Sequence, residues 1–256
     1  MPITVPDVRV GRAPNAQRSR VVPTAPEPAA SPQIVALLAL DAPTVGDLAP
    51  YLSGDEPHVR AAAVAVLTEH TPDGYVTALA AALGDDSPEV RRAAVDGLRE
   101  LVEVLPTVDG VDTHLDSGDP LVRATVVDVL RARRTGRPGQ YTAAVRDPDH
   151  RVRIEGIRAW VSLDDAAAVA AVARDTNREV RVAVAQGLAT IGRGGHDVAA
   201  TLAADPDPLV RAAALAAFAS LGCGPGELGF VVAGLRDSAW QVRQGAARGL
   251  AGAEPD

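Results

Sequence analysis

Residues 85–98 read Asp85-Asp86-Ser87-Pro88-Glu89-Val90-Arg91-Arg92-Ala93-Ala94-Val95-Asp96-Gly97-Leu98, and this stretch decides the fold. Ser87 is a helix cap. Pro88 suits the first helical position because its missing N–H has no partner there, and Glu89 complements the helix dipole. Val90, Ala94 and Leu98 fall at i, i+4 and i+8, one apolar stripe of an amphipathic helix. The Val-Arg pair recurs six more times, with its arginine at 60, 123, 153, 181, 211 and 243, at gaps of 28 to 32 residues. Seven residues beyond each arginine stands a large apolar side chain: Leu67, Leu98, Leu130, Trp160, Leu188, Phe218 and Leu250. A period near thirty held over most of a chain is the signature of stacked repeats, each unable to bury its apolar face alone. The expectation is an all-α chain, an α-solenoid of about seven helix pairs.

The second helices are the regular part. Asp119-Pro120 and Asp207-Pro208 keep cap and proline, while Asp149 and Asn177 keep the cap alone. The first helices are less regular, with candidates at 43–52, 73–83, 107–115, 140–145, 164–173, 196–203 and 227–235. Residues 32–40 suggest an extra helix in front of the stack, as a cap. Glycine-rich turns such as Gly192-Arg193-Gly194-Gly195 and Gly222-Cys223-Gly224-Pro225-Gly226 separate the pairs. The chain divides into an extended arm over 1–32, the repeats over 33–251 and a tail over 252–256.

On these residues the chain resembles HEAT-repeat proteins, of the short bacterial kind similar to the repeats of phycobilisome lyases. The resemblance covers roughly residues 43 to 251. The hallmark is an Asp in the inter-helix turn and an Arg six residues on: Asp85/Arg91, Asp147/Arg153, Asp175/Arg181, Asp205/Arg211 and Asp237/Arg243. Gly54 and Ser117 replace the Asp in the first and third repeats, whose helix ends are expected to be held less firmly. The resemblance implies second helices lining a concave side. A fixed Asp–Arg partner in successive repeats is itself expected to form a charge-assisted ladder rather than an anion site.

Composition excludes several functions. The first thirty residues carry +2 of the net −8, which leaves −10 on the rest, a poor match for nucleic-acid phosphate. All 25 basic residues are Arg, so there is no Walker-type lysine and no lysine nucleophile. No apolar run has transmembrane length, no signal peptide is visible, and the single Cys223 excludes an intrachain disulfide; a cytoplasmic protein is expected. The five histidines are dispersed, with no metal-ligand spacing. The paired His-Glu motifs of HEAT-like deoxyhypusine hydroxylases are missing, because Glu69-His70 is single and reversed. No cofactor is expected.

The leading reading is therefore a non-catalytic scaffold or accessory subunit that holds another protein, with no nucleic acid and no membrane insertion. The alternative is an enzyme or chaperone on the same scaffold, tetrapyrrole-handling or concerned with nucleic-acid repair. Two partner-binding regions are expected. One is the inner face of the second to fourth repeats, at positions one, five and eight past the anchoring arginine: Arg92, Asp96 and Arg99; Ala124, Asp128 and Arg131; Ile154, Arg158 and Val161. The charged members are the candidates, with a plain solvated face as the competing reading. The other is the arm, where Ile3, Val5, Val8 and Val10 form a β-branched pattern suited to a partner's sheet edge or groove. Trp240, at the start of the last helix, is expected to seal the end of the stack.

Overall fold

The computed structural model describes residues 31–252. The arm, with Ile3, Val5, Val8 and Val10, lies outside the described residues, as do residues 253–256.

The described chain is helical throughout, with no strand. Seven second helices recur at the expected places: α3 (Pro57–His70), α5 (Pro88–Leu101), α6 (Pro120–Ala132), α8 (His150–Ser162), α10 (Arg178–Ile191), α12 (Pro208–Leu221) and α14 (Trp240–Gly249). Proline opens four of them. The side chains of Ser87, Asp119, Asp149, Asn177 and Asp207 each accept the N–H two residues on, at 2.7–3.3 Å. These bonds satisfy donors that the helix itself leaves open.

The first helices are shorter: α2 (Val45–Leu52), α4 (Tyr75–Ala82), α7 (Pro138–Ala144), α9 (Ala166–Ala170), α11 (His196–Leu202) and α13 (Pro225–Gly234). In the third repeat the expected helix over 107–115 is only a 3₁₀ turn, Asp112–His114, preceded by Gly110 at φ +80°. A left-handed residue there cannot continue a helix. The fifth begins two residues late, since Asp164 is left-handed at φ +55° and Asp165 caps the helix onto the Ala168 N–H. The predicted front cap is present as α1 (Pro32–Leu38), packed on α3 and α2 with Leu37 fully buried.

Second helices pack on one another at every step of the stack, more closely than the first helices meet. Small residues permit this: a Cβ on Gly245 of α14 would run into the Ala212 carbonyl oxygen of α12. The second helices thus form the closer-packed side of the stack, the side that the HEAT resemblance implies is concave. Leu67, Leu98, Leu130, Leu188 and Phe218 are buried between the layers, while Trp160 is half-buried. Leu250 departs from the pattern at 38% exposed, where α14 gives way to a 3₁₀ turn and no further described helix stacks on it.

Candidate functional site

The seven arginines are structural, but not in the pairing the spacing suggests. Arg181 donates through Nη1 to the carbonyl of Asp175, six residues back, at 2.9 Å. Its carboxylate comes from the next repeat: Nε and Nη2 reach Asp205 at 2.7 and 3.0 Å. Arg60, Arg123, Arg153 and Arg211 repeat this on Asp85, Asp147, Asp175 and Asp237. Each of these aspartates, Asp205 included, also accepts the N–H two residues on in its own turn. Each rung thus ties one repeat to the following one.

The stagger explains both departures from the motif. Gly54 meets no arginine rung among the described residues, since residues 31–53 contain no arginine. Ser117 takes the Asp119 N–H at 3.2 Å and leaves Asp119 to receive Arg91, through one bond at 3.0 Å instead of two. The arginines of the two departing repeats are not loosened: Arg60 and Arg123 still bind the carbonyls of Gly54 and Ser117, at 2.9 and 2.7 Å. The thinner link is the one between the second and third repeats.

With the arginines consumed, the concave face holds the remaining polar groups. Arg92, Asp96 and Arg99 are exposed as expected, and Arg92 Nε pairs with Asp96 one turn on at 3.0 Å. Asp128 and Arg131 are half-buried and joined at 2.5 Å, and exposed Arg158 holds Glu155 at 2.6 Å. Ile154 and Val161 are half-buried. Ala124, expected to face away from the core, is instead buried at 4%. The repeat register puts Glu155 of α8 against it, as Gly245 stands against Ala212, and the larger side chain covers it. Glu155 itself is mostly buried. Burial pushes its carboxyl above the usual range, opposed by Arg158, reinforced by Asp128 and opposed again by Arg131 and Arg99. Its Oε2 and the Nε of Arg131 are buried without a hydrogen-bond partner.

Two adjoining cavities run along this face. One, of about 580 Å³, is lined by Arg131, Ile154, Arg158, Val161, Glu179 and Gln186. The other, of about 530 Å³, lies further along and shares Glu179 and Gln186. Its floor is Ala212, Ala213 and Ala216, and its rim carries Arg178, Gln241, Gln244 and Arg248. The groove therefore reaches the seventh repeat. Arg92 and Asp96 lie outside it, so the charges predicted for the second to fourth repeats do not converge on one site. Missed in the sequence were Glu155, Gln186, Gln241, Gln244 and Arg248. Gln186, Gln244 and Arg248 sit at the same positions, one and five past the arginine, where attention to charge in the middle repeats overlooked them, while Gln241 stands two residues before Arg243.

Two further expectations meet the geometry. Trp240, expected to seal the end of the stack, is 60% exposed at the first position of α14, with little packed on it among the described residues. Cys223 is buried, and burial together with Glu227 pushes its thiol up, away from the reactive thiolate. Among the described residues no cluster of His, Cys, Asp or Glu is arranged to hold a metal ion. No described helix is long and apolar enough to cross a membrane.

No curated protein sequence matches the chain. An engineered protein from the Northeast Structural Genomics Consortium matches with a TM-score of 0.52 and 22% identity, over 85% of this chain and 69% of that one. Human deoxyhypusine hydroxylase in complex with glycerol matches with a TM-score of 0.40 and 17% identity, over 85% of this chain and 87% of that one. These likenesses concern the fold alone, and a specific likeness to phycobilisome lyases is not shown by them. The family model for HEAT repeats matches residues 45–130 and 166–251, more than half of the chain. With the staggered ladder and the paired helices, this match establishes that the chain belongs to the HEAT-repeat family.

Proposed function

We propose that the chain is a non-catalytic binding scaffold that holds an acidic segment of a partner protein along its concave groove. The observation that carries this reading is the charge of the groove. In a chain of net −8, its two cavities are lined by Arg131, Arg158, Arg178 and Arg248 against Glu179 alone. Arg158 engages Glu155 through a single nitrogen, and Arg178 only approaches Asp207, at 3.7 Å. Each keeps donors for carboxylates on a partner. The alanine floor accepts apolar side chains between them, and Gln186, Gln241 and Gln244 offer amides to a peptide backbone. Grooves of this kind gain on-rate and specificity from charge, so binding weakens with salt.

The test compares native purifications of the full chain with an Arg178→Glu, Arg248→Glu double variant. Both positions are exposed, so the melting temperature should hold. Proteins that co-purify with the wild type should be lost from the variant, and from the wild type washed at high salt. An unchanged set of co-purifying proteins would overturn the reading.

A further inference from the structure

Behind the arginines of the groove stand Asp128, Glu155 and Asp207, which face Arg131, Arg158 and Arg178 from outside the two cavities. With these counted, the groove presents an order of charges rather than a large net charge. Glu179 is the carboxylate that breaks the order. It lines both cavities, and its side chain is 56% exposed. Its one ion-pair contact among the described residues is His150 Nε2 at 3.3 Å, an imidazole that carries charge only when protonated.

The surroundings of Glu179 suit a cation with an aliphatic stem. Glu179 lies in the first turn of α10, two residues before Arg181, and Asn177 caps its backbone N–H at 2.7 Å. The same slot holds Arg151 on α8 and Leu209 on α12. Arg151 is already bound to Asp149 through two nitrogens, at 3.0 and 2.9 Å. Leu209 is 42% exposed and lines the far cavity together with half-buried Val182. The stem of a lysine or arginine can lie along Leu209 and Val182 while its charged head reaches Glu179. A ligand that carries only carboxylates meets like charge at this point, which is discrimination by repulsion.

The neighbouring cations set the spacing. Arg158 stands on the adjacent second helix and Arg248 two second helices away on the other side, each five residues past its anchoring arginine. Second helices about 10 Å apart, with a rise of about 1.5 Å per residue, put Glu179 about 15 Å from Arg158 and about 23 Å from Arg248. An extended chain covers about 3.3 Å per residue, so matching acids stand about five residues to one side of the cation and about seven to the other.

Resting on the reading of the groove as a site for an acidic segment, we propose that Glu179 is its specificity determinant. It accepts a single lysine or arginine of that segment, between one acidic residue held by Arg158 and another held by Arg248.

Fluorescence anisotropy of the full chain with two labelled peptides, at low ionic strength, tests this. Both peptides carry glutamates about five residues before and about seven residues after a central position, the spacing of an extended chain. That position is lysine in one peptide and glutamine in the other. The wild type should bind the lysine peptide about tenfold more tightly. Glu179→Gln should bind the two alike, and Glu179→Arg should prefer the glutamine peptide. Both variants keep the helical circular-dichroism spectrum, since the side chain is exposed. Equal affinity of the wild type for the two peptides overturns the proposal and leaves the acidic-segment reading standing. A lysine preference that survives Glu179→Gln does the same. If the wild type binds neither peptide, or if binding is indifferent to Arg178→Glu, Arg248→Glu, the acidic-segment reading falls and this proposal with it.

Discussion

Glu155 stands two residues after its repeat's anchoring arginine, a slot held elsewhere by Ala62, Ala93, Thr125, Ala183, Ala213 and Gly245. The slot is small because it faces the preceding second helix at close range. A carboxylate there leaves water, keeps one bond to Arg158, and has a second oxygen with no partner. An unpaired buried acceptor costs free energy, and the negative charge costs more. Burial raises the folded pKa above the ordinary value of 4.5, so over the window above that value the folded chain binds more protons than the unfolded one. Stability therefore falls as pH rises through this window. Glu155→Gln should remove that dependence and raise the melting temperature at neutral pH, as thermal melts of both proteins across pH 4 to 8 will read. A variant that melts lower at neutral pH would mean that the Arg158 contact outweighs the cost of burial. At Gly245 the same slot has no room to spare, since the atom a Cβ would meet is backbone. Gly245→Ala should push α12 and α14 apart and destabilise the stack by about 1–3 kcal/mol in denaturant titration.

The arginine rungs act between elements. Arg181 and Asp205 are both mostly covered, with side chains 14% and 9% exposed. Removing either partner strands the other charge, at a cost of about 3 kcal/mol. Arg181→Ala and Asp205→Ala should each lower the melting temperature by several degrees while leaving groove binding intact. Loss of binding at an unchanged melting temperature would assign the rung to recognition instead. Acid provides a second check. Burial alone would raise the Asp205 carboxyl, yet Arg181 and the Asp207 N–H together hold it below the ordinary value of 3.8. Asp237 is held down chiefly by Arg211, and Asp149 by Arg151, to about 2. A lowered carboxyl contributes its stability above the ordinary value and loses it as pH falls through the folded one. The difference in melting temperature between wild type and Arg181→Ala should therefore hold above pH 3.8 and shrink below it. The period and the caps make these elements legible in the sequence, because both are local. The partner of each rung is not legible there, because every repeat carries the same pair and six-residue spacing looks identical whether a carboxylate serves its own arginine or the previous one. Only the departures at either side break that symmetry: among the described residues Gly54 has no arginine before it and Arg243 no aspartate after it. The first helices are poorly marked for a different reason. Their bounds depend on left-handed residues such as Asp164 and Gly110, which propensity does not announce.

Stacked repeats hold together through nearest neighbours, so the coherence of the whole molecule depends on its weakest junction. The buried side chains fall into two clusters. One runs from Leu37 to Ala159, the other from Val145 to Ala246, and Trp160 of α8 packs against both. Trp160 also meets Tyr141 of α7 edge to face, with ring centroids 6.1 Å apart. Next to it Glu155 takes the place of a small packing residue, so this junction relies on the indole more than its neighbours rely on any one side chain. Trp160→Ala should cost about 3–5 kcal/mol locally, and the loss should fall on the coupling between the halves rather than on either alone. The expected result is a denaturant transition that is single in the wild type and splits in two in the variant, with amides of α3 and α5 protected from hydrogen exchange at a different denaturant concentration from those of α10 and α12. Phe218→Ala, which removes an equally central ring from the middle of one cluster, serves as the comparison and should lower stability without splitting the transition. A single, merely shifted transition for Trp160→Ala would show that the backbone packing of α6 on α8 and of α8 on α10 suffices to carry cooperativity across the junction.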